Sequence, residues 1–252
     1  MKESYNSRNV HPRDKRLTFE PEGHTYTATA PDGSSVLCDS VTTVVESLFE
    51  QFDADYWAIR KAPALGMSPD ELKQLWDKKG RKARDLGTAM HARIENHYLG
   101  NDDVPGPNDT EYAHFLEFEH RHTLRPYRTE WPVFSEKYRI AGTIDFLECR
   151  DGVYNIWDWK RSSKLISPDG EIISTNPYGK CGCGPAAGVP DTSYHHYSLQ
   201  LSLYTAILAM EYGLKVSSLH LGVFHPAYDR PYVIPLPFMR DEVIAILKSR
   251  LS

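Results

Sequence analysis

The order of periodicities along the 252 residues predicts a mixed α/β (α+β) fold. A mixed central sheet carrying an antiparallel hairpin is expected between flanking helices, with a helical and hairpin elaboration near the N-terminus. Three observations carry this. Residues 129–160 break into β-rich runs joined by turn signals; helical patterns precede them over 68–122; helical patterns return at 194–212 and from about 240.

Taken in order, residues 1–16 (MKESYNSRNVHPRDKR) are polar and read as a flexible leader ahead of a single domain over 17–252. They lack the apolar core of a secretory signal, and Glu3 and Asp14 weaken a mitochondrial transit reading without excluding it. RLTF, HTYTATA, the turn Pro31-Asp32-Gly33 and SSVLC predict a hairpin over 17–38. Ser40 is a candidate cap for a short helix over 41–49, although its β-branched start opposes helix.

Ser68-Pro69-Asp70-Glu71 sets an N-cap, a first-position proline and a capping-box glutamate in register. The helix it starts is expected to reach Leu99 and stop at Gly100, with a break near Gly80 or Gly87. A Pro/Gly loop over 101–107 leads to a helix over 109–122, then to β-runs at 129–135, 138–149 and 153–160. Residues 161–193 are rich in Gly, Pro and Ser without periodicity, an insertion loop that is either a lid or disordered. A helix over 194–212 ends at Gly213, and strands near 218–225 and 231–236 precede a terminal helix.

Composition excludes some classes. A net charge of −5 argues against a surface coated in cations, while leaving room for a local basic stripe beside a metal. No apolar run is long enough to span a bilayer, so no membrane partner is expected. Four cysteines without a CxxC pair favour free thiols in a reducing, intracellular compartment.

The chemistry concentrates on one hairpin. Asp151-Gly152 is a two-residue turn signal that pairs residue 150 with 153 and therefore places Asp145 opposite Asp158. Opposed residues share a face about 5 Å apart, and Lys160, two residues on, joins them. Reading Glu136-Lys137 as the preceding turn sets Glu130 opposite Thr143, one same-face step from Asp145. Three carboxylates this close raise one another's pKa unless a cation intervenes, and carboxylates with water suit magnesium. Taken alone, Asp158 and Lys160 read as an ion pair on a solvated face; the register, the turn and the third carboxylate reverse that reading.

GTID at 142–145 followed by DWK at 158–160 resembles the PD-(D/E)XK nuclease superfamily. Two further stretches are similar to its branch of RecB-type domains, lambda-type exonucleases and the mitochondrial genome-maintenance exonuclease. These are the Gly87–Glu95 segment GTAMHARIE and the QLSLY of Gln200 to Tyr204. The four stretches occur in the family's order and span half the chain.

The resemblance implies a restriction-endonuclease-like core and a metal-dependent deoxyribonuclease, most simply an exonuclease of DNA recombination, replication or repair. It implies that Asp145, Asp158 and the Trp159 carbonyl hold Mg²⁺ or Mn²⁺, with His91 completing the ligands and Glu130 binding a second ion or a water of the first. Lys160 would orient the attacking water, and Gln200 and Tyr204 would position the strand or Lys160. The same spacings also fit a local His91–Glu95 helix pair and a core role for Tyr204.

Lys78, Lys79, Arg81, Lys82 and Arg84, with Arg161 and Lys164 after DWK, read as either a solvated face or a phosphate track to single-stranded DNA or DNA ends. Trp57, Trp76 and Trp131 fit core packing better than base stacking. Cys149, Cys181 and Cys183 lack the spacing of the iron–sulfur cluster that some relatives carry, so none is expected. A structure-specific endonuclease, a catalytically silent DNA-binding module and a metal-binding protein without nucleic acid are the alternatives. The chain does not indicate an oligomeric state.

Overall fold

Asp151 and Gly152 both adopt positive φ, 54° and 80°, and close the central hairpin as a two-residue turn. They join β5 (Ile140–Arg150) to β6 (Val153–Lys160) in the predicted register, with Arg150 opposite Val153 and Phe146 opposite Trp157. The computed structural model describes residues 4–20, 23, 25–101 and 109–251; the expected 101–107 loop lies almost wholly outside them.

The hairpin is the centre of an eight-stranded mixed sheet. β1 (Leu17–Glu20), β2 (Thr25–Thr29) and β3 (Ser35–Ser40) form a meander whose last strand pairs parallel with β5 at Asp39–Ile140 and Ser40–Ala141. β7 (Val216–Val223) pairs parallel with β6 and antiparallel with β8 (Tyr232–Leu236). β4 (Pro126–Ser135) lies along the other edge of β5. Thus β5 has β3 at its start and β6 at its end on one side, and the sheet parts between them.

Strand alternation divides the core. Ile156 of β6 packs with Leu147, Leu219 and Leu221 under α6 (Ser193–Glu211) and α7 (Arg240–Ser249). Trp157 and Trp159 point to the opposite face, against α4 (Pro69–Leu99) and α5 (Thr110–His122). There Phe115 and Phe118 are fully buried, and each contributes roughly 1.5–3 kcal/mol of apolar burial. Asp158 and Lys160 fall on the α6 side with Ile156.

The Ser68 capping box forms as expected, and α4 then runs 31 residues without a break at Gly80 or Gly87. Ser40 caps α2 (Val41–Glu46), which stops three residues short of the expected 49. An additional helix, α3 (Ala54–Lys61), packs on α4; its single buried residue, Ala58, leaves no apolar stripe for a sequence reading to detect. The 161–193 insertion holds one 3₁₀ turn, but Leu165, Ile166, Ala186 and Val189 are buried in the α6-side core. It is packed against the domain.

Residues 4–16 depart from the flexible-leader expectation. They form α1 (Tyr5–Arg8) and a 3₁₀ turn over Pro12–Arg16, laid along β4. β4 would otherwise expose unpaired main-chain groups at the sheet edge. The Asn6 side chain covers them, accepting from the Thr129 amide at 2.9 Å and donating to its carbonyl at 3.1 Å, while Asn9 donates to the Tyr127 carbonyl at 2.9 Å. Asp14 accepts from Arg128 and from the Trp131 indole, each at 2.8 Å. Arg13 bridges Glu136 and Glu211. Among the described residues, no helix is long and apolar enough to cross a membrane.

Burial raises the pKa of Asp14, but Arg128, the His11 amide and Trp131 outweigh it and hold the carboxyl below its usual value. A depressed carboxylate stabilises the fold above its unfolded pKa, and that stability fades as pH falls through the folded value. Asp14→Ala is therefore expected to cost about 1.5–3 kcal/mol at pH 7 in urea unfolding, with the difference shrinking below about pH 4.

Candidate metal centre

Beyond Phe146 and Trp157 the β5–β6 ladder stops. The Trp159 amide donates to Asp145 Oδ2 at 2.8 Å, so a side chain stands where the partner strand's main chain would otherwise continue. Lys160's carbonyl accepts from Phe224 beyond the end of β7. Successive residues of a strand point to opposite edges, so Trp159's carbonyl faces the gap beside Asp145.

Glu130 reaches the same gap from β4. The turn is four residues long, Glu136 to Arg139, with Ser135 opposite Ile140. This shifts the register two residues from the expected pairing and sets Glu130 level with Asp145, between the Thr129–Phe146 and Trp131–Ile144 pairs. Because side chains repeat every two residues, the error preserved the face. Glu130 has φ 43°, a left-handed conformation that costs a non-glycine residue about 1–2 kcal/mol. Asn6 clamps its neighbour Thr129 on both main-chain groups.

His91 enters from α4, one residue after buried Met90. Its Nδ1 lies 3.6 Å from Glu130 Oε1 and 3.6 Å from Asp145 Oδ2. One ligand atom from each of His91, Glu130 and Asp145 lies within 4.8 Å of the others. That spread matches atoms around a divalent cation bound at about 2.0–2.6 Å. Asp158 is turned toward Lys160, whose Nζ is 2.5 Å from Oδ2. Burial leaves that ion pair largely shielded from water.

Burial drives the electrostatics. It raises the Asp145 carboxyl, which His91 and Lys160 only partly counter, and pushes Asp158 up to about 6, with Asp145 adding to the rise. For His91, burial works downward, but Asp145 and Glu130 prevail and push it up to about 9. Lys160 is likewise raised against its burial by Asp158 and Asp145. Three carboxylates thus face one lysine and one histidine. Spare negative charge and a compact O/N donor set both fit a divalent cation.

Two tyrosines of α6 complete the walls. Tyr204 is buried against β5, and Gln200 lies within hydrogen-bonding reach of its hydroxyl. Tyr197, outside the family-like stretches of the sequence, places its ring 4.7 Å from Lys160 Nζ. Its position three residues before Gln200, hence one turn away on the same helix face, was the available signal.

The basic residues divide. Lys78, Lys79, Arg81, Lys82, Arg84 and Lys164 are exposed, whereas Arg161 is half-buried and bound to Glu111 at 2.6 Å. Trp131 is core, while Trp57 and Trp76 are half-buried on α3 and α4. Glu95, partly buried, is not a member of the His91–Glu130–Asp145 cluster.

No known protein-family profile matches the chain, and no curated protein matches it. A solved structure described as "Crystal structure of SSO0001" is similar at 14% identity, over 85% of this chain and 74% of that one, with a TM-score of 0.35. A likeness this distant carries no functional argument.

A Cβ at Gly142 would sit 2.6 Å from the Tyr204 hydroxyl, so close approach of α6 to β5 depends on this glycine. Gly142→Ala is expected to destabilise the protein by about 1–3 kcal/mol in denaturant unfolding, and adding Tyr204→Phe should restore part of the loss.

Proposed function

We propose that this protein is a metal-dependent deoxyribonuclease of the PD-(D/E)XK type, acting as an exonuclease in DNA recombination, replication or repair. The observation that carries the reading is the meeting of His91, Glu130 and Asp145 within 4.8 Å, beside the Asp158–Lys160 pair. A bare metal-binding protein would have no use for a half-buried lysine set on the same strand as a ligand carboxylate.

His91, Glu130, Asp145, Asp158 and the Trp159 carbonyl would hold Mg²⁺ or Mn²⁺, and the imidazole favours manganese as a working ion. When bound, a divalent cation supplies Lewis-acid neutralisation of charge developing on the scissile phosphate.

The remaining work falls to the chain's own groups. Lys160, held between the Asp158 carboxylate and the Tyr197 ring, donates to the attacking water and to the phosphoryl oxygens as charge builds on them. Tyr197 keeps the ammonium aimed into the gap by attraction to its ring face. Gln200, half-exposed beside Tyr197, is placed to contact the strand, and Tyr204 anchors α6 to β5 behind it.

The test is degradation of end-labelled linear and covalently closed circular DNA, single- and double-stranded, with Mg²⁺ or Mn²⁺. Metal-dependent loss of linear DNA that spares circles is expected, and Asp158→Ala or Lys160→Ala should lower the rate by about 10²-fold or more. Cutting of circles would assign an endonuclease. Folded protein that binds DNA and cuts none of these substrates would make the chain a silent binding module.

A further inference from the structure

The helical arm formed by α3, a 3₁₀ turn over Pro63–Leu65 and the first half of α4 has no role in the metal centre. Between Leu72 and Met90 no side chain of α4 is buried, a stretch of about 26 Å at 1.5 Å per residue. Apart from the side that meets α3, this stretch lacks the core packing that normally supports a helix. The middle of this stretch carries Lys78, Lys79, Arg81, Lys82 and Arg84, all exposed. None of the five forms an ion pair among the described residues, whereas Lys73, earlier on the helix, is held by Asp55 and Asp70. On a chain of net charge −5, five unpaired cations within seven residues make a local site for a polyanion.

The arm and the loop that leads into α3 also present aromatic rings. Phe52 is 65% exposed and Tyr56 47% exposed. Phe52 meets Trp76 edge-on at 5.4 Å, and Trp76 lies two residues before Lys78. Arg60 lies over the Tyr56 ring and Lys61 over the Trp57 ring. Exposed rings beside backbone-neutralising cations are what unpaired bases require, since a duplex keeps its base faces stacked inside. Arg84 stands two turns before His91 on nearly the same face of α4, about 10 Å along the axis; Lys78 lies about 20 Å along the axis and about 140° around it.

We propose that this arm binds single-stranded DNA leading to the metal centre: the cations of α4 hold phosphates, and Phe52 and Tyr56 stack bases. The inference rests on the nuclease reading and specifies its substrate as unpaired strand.

Binding of a fluorescent oligothymidylate and of a duplex of equal length is compared by anisotropy with the full chain in EDTA, which separates binding from cleavage. One variant replaces the five basic residues with alanine, which favours helix at exposed positions; a second carries Phe52→Ala and Tyr56→Ala. Circular dichroism verifies that both are folded. The wild type should prefer the single strand. The aromatic variant should lose about tenfold in oligothymidylate affinity with an unchanged salt slope. The basic variant should lower the slope of log K against log salt by about 3.

Equal binding of duplex and single strand, with no effect of the aromatic variant, would overturn the proposal in favour of a track for duplex backbone. If the wild type binds and degrades DNA while both variants match it, the arm inference fails and the nuclease reading stands. If the wild type binds no DNA in EDTA, the arm inference fails, and degradation with Mg²⁺ or Mn²⁺ decides the nuclease reading by itself.

Discussion

The site depends on one hydrogen bond, from the Trp159 amide to the Asp145 carboxylate. It falls where β5 and β6 cease to pair, and it satisfies a main-chain donor that would otherwise be stranded inside the sheet. With the ladder ended at Phe146–Trp157 and β3 pairing only the start of β5, the middle of β5 keeps one edge open. Into that opening come Asp145 itself, Asp158 and Lys160 from β6, Glu130 from β4 and His91 from α4. A continuous sheet would have filled the space with main chain.

Such a site stores unfavourable energy. Burial raises both Asp145 and Asp158, and Glu130 holds a backbone conformation unusual for its type. Strain of this kind persists only where surrounding structure over-determines it. Here the N-terminal segment does so: Asn6 fixes Thr129 beside Glu130, and Asp14 fixes Arg128 and Trp131 on either side of it. The segment that seals the edge of β4 is thereby the brace of one carboxylate.

How much of this the sequence discloses follows from the range of each interaction. Local rules served well where a few residues decide the outcome: Asp151-Gly152 set the hairpin register, and the Ser68–Glu71 box set the start of α4. From the register came the shared face of Asp145, Asp158 and Lys160. Glu130 was placed on the right side for a partly wrong reason, since a four-residue turn replaced the expected two and period-2 geometry absorbed the shift. What stayed hidden was long-range and polar. Asn6 reaches Thr129 across 123 positions, Arg161 meets Glu111 across 50, and neither leaves a periodic signal. α4 continues through Gly80 and Gly87 although each weakens a helix, because the Ser68 cap and the buried turns from Met90 hold both ends.

The centre and the arm share one helix. α4 presents His91 where it is packed and its cations where it is not, so the spacing between them is fixed by a single rigid element. The central claim, that the gap beside Asp145 is a metal site, is tested most directly by isothermal titration of Mn²⁺ into the metal-free protein at pH 7.5. Repeating it in buffers of different ionisation heat counts the protons released. His91, pushed up to about 9 by its two carboxylates, holds a proton that a cation must displace. The account predicts saturable binding with proton release, abolished by Asp145→Asn. Absence of binding, or binding that Asp145→Asn leaves unchanged, would contradict it.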